Sequence, residues 1–104
     1  MQYHILTLGR NVKDEIDKIP VESAVKFVDS ELFRYGIDCF SIYEGKGYWQ
    51  GKPENTIRFE VFGLSDGNAK QLAATLAREY TQEAVMLLSI NSRPKFIQSD
   101  LSVL

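Results

Sequence analysis

Gly45-Lys46-Gly47-Tyr48-Trp49-Gln50-Gly51-Lys52-Pro53-Glu54-Asn55-Thr56-Ile57-Arg58-Phe59-Glu60-Val61-Phe62-Gly63 is the stretch whose reading decides the fold. Its second half alternates: Ile57, Phe59 and Val61 fall on one side, Arg58 and Glu60 on the other. That is the pattern of a half-buried strand over residues 56–62. Its first half holds the only tryptophan and three of the seven glycines. Residues 37–43 (IDCFSIY) also read as a strand, so the glycine-rich stretch joins two strands. The preferred reading is a long β-hairpin in which Tyr48 or Trp49 folds back over the sheet end and the glycines supply unusual backbone conformations. The competing reading is a recognition loop, with Tyr48 and Trp49 as flat contact surface and Lys46, Lys52 and Glu54 as polar partners. A phosphate cradle is excluded, because no Gly-Lys-Ser/Thr run opens a helix here.

Outward from this hairpin the periods change. Residues 20–35 carry Val21, Ala24, Val25, Val28, Leu32 and Tyr35 at the i, i+3, i+4, i+7 spacing of an amphipathic helix. Pro20 suits its first turn and Gly36 its left-handed end. A second helix follows Ser65 or Asp66, either of which can cap it, with Ala69, Leu72, Ala73, Leu76, Ala77 and Tyr80 as its stripe. Short strands over residues 2–8 and 83–90 close the pattern. The order βαββαβ predicts an α+β, ferredoxin-like fold: a four-stranded antiparallel sheet, order 4-1-3-2, with two helices on one face. The fold hosts many activities and licenses none by itself.

The first and last strands put apolar groups on both sides (Ile5-Leu6; Val85 to Leu88), so something should cover part of the sheet's open face. Two covers are available. One is the tail, residues 91–104, with Phe96, Ile97, Leu101, Val103 and Leu104. The other is a second subunit, and a homodimer through the sheet face is the preferred expectation.

With 104 residues the chain forms one domain, 1–104, large enough to hold a core without cross-links. A net charge of −2 speaks against nucleic acid as a partner. So does the third strand, which offers Arg58 and Glu60 where an RNA-binding sheet needs aromatics. One cysteine, no membrane-spanning run and no leader-like N-terminus lead to a cytoplasmic expectation.

Residues for chemistry are few. His4 and Cys39 fall on strands that are not neighbours, about 10 Å apart, too far to share one metal ion. His4 reads as a strand histidine and Cys39 as a small buried hydrophobe. Neither has a partner that would make a nucleophile. The Gly9-Arg10-Asn11 turn lies some ten residues from its helix and lacks the acylphosphatase signature. Glu44 and Glu54 flank the hairpin loop and are placed to approach one another, while Glu60 and Glu83 read as solvated. No catalytic residue, cofactor or metal is therefore expected.

Gly45-Lys46-Gly47-Tyr48-Trp49, then Glu54, then an alternating strand, a helix with Leu72-Ala73 and Leu76-Ala77, and Gln82-Glu83-Ala84-Val85 form a pattern over residues 45–90. It resembles a family of small bacterial proteins of unknown function with a GxGxW hairpin and a QEAV or QESV last strand. The resemblance brings no catalytic residues. It marks Trp49, Glu54, Gln82 and Glu83 as a set, with the Trp49 indole N–H expected to bond Gln82 or Glu83. Many members of that family carry a leader and extra cysteines; this chain has a single cysteine, and no leader is expected of it.

The function expected from these residues is a small binding or regulatory module acting through protein contacts, such as the inhibitors that phages and bacteria encode. Its candidate contacts are Tyr48, Trp49, Lys52, Glu54, Gln82, Glu83, Phe96 and Ile97. The alternative is a dimeric α+β barrel enzyme acting on a small aromatic or haem-like molecule, its pocket lined by Tyr3, His4, Tyr43 or Glu60.

Overall fold

The structure is a computed structural model that describes residues 2–91 together with 95 and 97. Its elements run β1 (Gln2–Gly9), α1 (Val21–Arg34), β2 (Phe40–Trp49), β3 (Lys52–Phe62), α2 (Asp66–Glu79) and β4 (Met86–Asn91). The strands form one antiparallel sheet in the order β2-β3-β1-β4, the ferredoxin-like arrangement that the periodicity predicts.

One face of the sheet carries the core. Leu6 and Leu8 of β1 sit opposite Phe59 and Ile57 of β3, and all four are buried. Over them pack Ala24, Val28 and Leu32 of α1 and Ala69, Leu72 and Leu76 of α2, in a single cluster. Helix ends are closed locally. Ser65 caps α2 by accepting the Asn68 N–H at 3.1 Å. Gly36, at φ 77°, ends α1 in the left-handed region, and the Ile37 N–H then turns back to the Leu32 carbonyl at 2.9 Å.

That last bond explains a difference from the sequence expectation. Residues 37–39 complete the end of α1, so β2 starts at Phe40, whose partner is Val61. Cys39 lies before that first pair and is exposed rather than buried. At the other end of the molecule, β4 starts at Met86, later than expected. Residues before it finish α2, where the Gln82 N–H bonds the Ala77 carbonyl at 2.8 Å and Thr81 takes φ 54°.

The hairpin is longer than its sequence suggests. β2 and β3 stay paired from Phe40↔Val61 out to Trp49↔Lys52, leaving only Gln50 and Gly51 as the turn. Both turn residues have positive φ, 53° and 79°, the combination of a type I′ hairpin. Of Gly45, Gly47 and Gly51 only Gly51 takes the left-handed conformation that favours glycine; Gly45 and Gly47 are ordinary strand positions. Strand β1 stops at Gly9, opposite Thr56. The pairs from Lys46↔Asn55 to Trp49↔Lys52 therefore extend past it by roughly 13 Å, at 3.3 Å per residue. Glu44 pairs with Ile57 and Glu54 with Gly47, which puts the two carboxylates on opposite faces and removes the expected pairing.

The segment between β1 and α1 is tied to this overhang. Arg10 donates its N–H to the Asn55 carbonyl at 2.9 Å and its Nε–H to the Ile19 carbonyl at 2.9 Å. Asn55 Nδ2 donates to both carboxylate oxygens of Asp17, at 3.0 and 3.1 Å. The packing expected of the tail falls largely outside the described residues. Among the described residues, no helix is long and apolar enough to cross a membrane.

Candidate functional site

Because the hairpin outruns β1, the open face of the sheet ends in a recess. Strand alternation sends Thr7 and Gly9 of β1, Gly47 and Trp49 of β2, Lys52, Glu54 and Thr56 of β3, and Met86 of β4 to this face. All of them line one cavity of about 820 Å³. The chain before β4, residues 81–84, walls it on one side, and Asn11, Lys13 and Asp14 close another. The glycines have a second use here. With no side chain, Gly9 and Gly47 leave the floor open, and a Cβ at Gly9 would collide with the Glu54 carboxylate.

Six of the eight candidate contacts meet in this cavity: Tyr48, Trp49, Lys52, Glu54, Gln82 and Glu83. Two do not. Ile97 is 86% exposed and Phe96 lies outside the described residues. Tyr48 and Trp49 are 78% and 52% exposed, so they stand at the rim and do not fold down as core. The expected link from the Trp49 indole to Gln82 or Glu83 is replaced by another. Gln82 Nε2 donates to the Asn11 carbonyl at 2.8 Å and to the Tyr80 carbonyl at 3.3 Å. The Asn11 N–H in turn donates to Glu54 Oε2 at 3.0 Å. The strand order does set β4 and β2 on opposite edges, and Asn11 joins Gln82, before β4, to Glu54 of β3.

The lining carries three carboxylates, Asp14, Glu54 and Glu83, against two lysines, Lys13 and Lys52. Such a recess suits a ligand with a flat ring and a positive centre, since aromatic faces and carboxylates both attract cations. At its inner end the Thr7 Oγ1 is buried and has no hydrogen-bond partner among the described residues. Sequence reasoning missed Thr7 and set the Gly9-Arg10-Asn11 turn aside as an anion site; Thr7 and Gly9 gain their places from the register and Asn11 from its bonds to Glu54 and Gln82.

Other candidates resolve differently. His4 is fully buried in the core face: its Nε2–H donates to the Leu64 carbonyl at 2.8 Å, and Nδ1 meets the Ser89 hydroxyl at 2.7 Å. It is a strand histidine, as expected, and lines neither this cavity nor a smaller one of about 470 Å³ behind the hairpin. Tyr3, Tyr43 and Glu60 form a separate group in the middle of the open face. The Tyr3 hydroxyl donates to Glu60, Arg58 pairs with Glu60 at 3.2 Å, and the Arg58 guanidinium lies 5.1 Å over the Tyr43 ring. Burial first, and then the neighbouring Glu60 carboxylate, push the Tyr3 hydroxyl up to about 12. Among the described residues no cluster of three or more His, Cys, Asp or Glu is arranged to hold a metal ion.

No protein-family model matches the chain, and no curated protein matches it in sequence. Solved structures share its fold. A phage SAM lyase in its apo state overlaps it with a TM-score of 0.75 and 24% identity, covering 86% of this chain and 78% of that one. A CutA1 variant from Pyrococcus horikoshii overlaps with a TM-score of 0.59 and 16% identity, covering 99% of this chain and 92% of that one. At these identities the likeness establishes the fold alone.

Proposed function

We propose that the cavity under the hairpin binds S-adenosylmethionine and that the chain cleaves it as a SAM lyase. One observation carries the reading: the recess combines exposed Tyr48 and Trp49 with Glu54 and Glu83, on a fold that overlaps a phage SAM lyase along most of its length. S-adenosylmethionine joins a flat adenine, a permanently positive sulfonium and an amino-acid end. Trp49 or Tyr48 supplies a stacking face for the adenine. Glu54, held in the recess by the Asn11 N–H, faces the positive sulfur, and Lys52 or Lys13 suits the substrate carboxylate. A lyase breaks one carbon–sulfur bond. The bonding pair stays on sulfur, giving neutral 5′-methylthioadenosine. The four-carbon fragment either loses a neighbouring proton to a carboxylate such as Glu54 or closes onto its own carboxylate. Both routes balance without an added oxidant or reductant.

The test is incubation with S-adenosylmethionine followed by mass spectrometry. We expect 5′-methylthioadenosine to appear, Glu54→Gln and Glu83→Gln to lower kcat/KM by about 100-fold, and Trp49→Ala to raise KM by roughly 10-fold. Absence of both turnover and binding would remove the reading.

A second reading keeps a protein-contact role, and a specific feature favours it. Met86, Leu88 and Ile90 stand exposed in a row along β4 on the open face, beside Ile5 and the Tyr3–Phe62 stack. A second copy of this chain packed on that face would cover them, the self-association expected from the sequence.

A further inference from the structure

Glu54 reaches the cavity from the hairpin, Asn11 from the segment after β1 and Gln82 from the turn before β4. They are joined in series by bonds at 3.0 and 2.8 Å, spanning sequence separations of 43 and 71. The middle residue contributes only backbone to both bonds. Its own side chain is used elsewhere, with Asn11 Oδ1 accepting the Asp17 N–H at 3.0 Å. On the preceding side the chain is anchored by the Arg10 N–H bond to the Asn55 carbonyl. The peptide that carries the Asn11 N–H is held on its other edge by the Ile19 N–H, which donates to the Arg10 carbonyl at 3.0 Å. The bond from Gln82 to the Asn11 carbonyl fixes the peptide on the far side of the same α-carbon, so that both flanks of Asn11 are set while its N–H meets Glu54. The carboxylate meanwhile occupies the space that a side chain at residue 9 would take. Gln82 has no need of this bond to close α2, because its own N–H already does so at the Ala77 carbonyl.

We propose that Gln82 is a positioning residue for the site: acting through the Asn11 backbone, it fixes the direction in which Glu54 presents its carboxylate to the cavity. The consequence for turnover rests on the S-adenosylmethionine reading; the relay itself does not. Three walls of the recess then share one chain of hydrogen bonds, and loosening it misdirects Glu54 while its carboxylate stays in the recess.

The experiment uses Gln82→Met, which keeps length and volume but cannot donate, with Gln82→Glu as a second variant should the first fail to fold. The first readout is hydrogen exchange at the Asn11 amide in the free protein, followed by NMR. In the wild type the bond to Glu54 protects that amide, and in Glu54→Ala the protection is lost. In Gln82→Met we expect less than about half of the wild-type protection, because amide and carboxylate no longer hold their alignment. The second readout is turnover of S-adenosylmethionine, where kcat falls about 10-fold or more while KM stays within about twofold. An Asn11 amide as well protected in Gln82→Met as in the wild type overturns the relay, whatever happens to kcat. A wild type that neither binds nor cleaves S-adenosylmethionine overturns the proposed function, and the amide measurement still decides the relay.

Discussion

Tyr3 sits on the open face of the sheet, stacked on Phe62 at a centroid distance of 4.5 Å and bonded through its hydroxyl to Glu60. Its proton is held more tightly in the fold than in the unfolded chain, where a tyrosine titrates near 10. The stability it contributes is therefore full below pH 10 and is lost as pH rises toward 12. Absorbance titration at 295 nm should show one of the five tyrosines ionising late, and Tyr3→Phe should remove that step and flatten the alkaline fall in melting temperature. Thr7 gives the opposite kind of expectation. Its buried hydroxyl has no partner among the described residues, so Thr7→Val should leave stability unchanged or raise it by about 1 kcal/mol in a urea melt. A loss above that size would mean the hydroxyl has a partner in solution. At this scale the sequence was informative about types. Trp49, Glu54, Gln82 and Glu83 stood out as a set and do line one recess. Cys39 was misread because burial was inferred from a strand that begins one residue later.

The hairpin is the element that makes the recess, and its turn is its weakest point. Gly51 holds φ 79°, so Gly51→Ala should cost about 1 kcal/mol, and hydrogen exchange should quicken first at the outer pairs near Trp49 and Lys52. Uniform protection across the hairpin in that variant would show that the turn does not govern the overhang. In α2, Ser65→Ala removes the bond from the Asn68 N–H and should lower stability by about 1 kcal/mol, read as the urea midpoint. Both helices and the strand over residues 56–62 were legible because burial on one side imposes a period, and these elements have one side buried. Residues 45–55 have no such period. Most of them extend past β1 with no core beneath, so pairing alone, set by the two-residue turn, makes them strand.

At the scale of the molecule the open face of β4 is left uncovered by the other described residues, with Met86 62% and Leu88 48% exposed. Self-association through this face predicts that light scattering after size exclusion gives a mass above the 11.9 kDa protomer, and that Leu88→Lys returns it to that mass. A wild type that is already a protomer at micromolar concentration would remove the second copy from consideration. The sequence by itself determined the order of elements, the faces they bury and hence the sheet and its helices. Those follow from local periods and caps, which each segment carries alone. Only the tertiary structure decided the recess. Its floor depends on where β1 stops relative to the hairpin, and its walls depend on bonds from Asn11 to Glu54 and Gln82. Such contacts join residues far apart in the chain, and no pattern within one segment records which backbone group will meet which side chain.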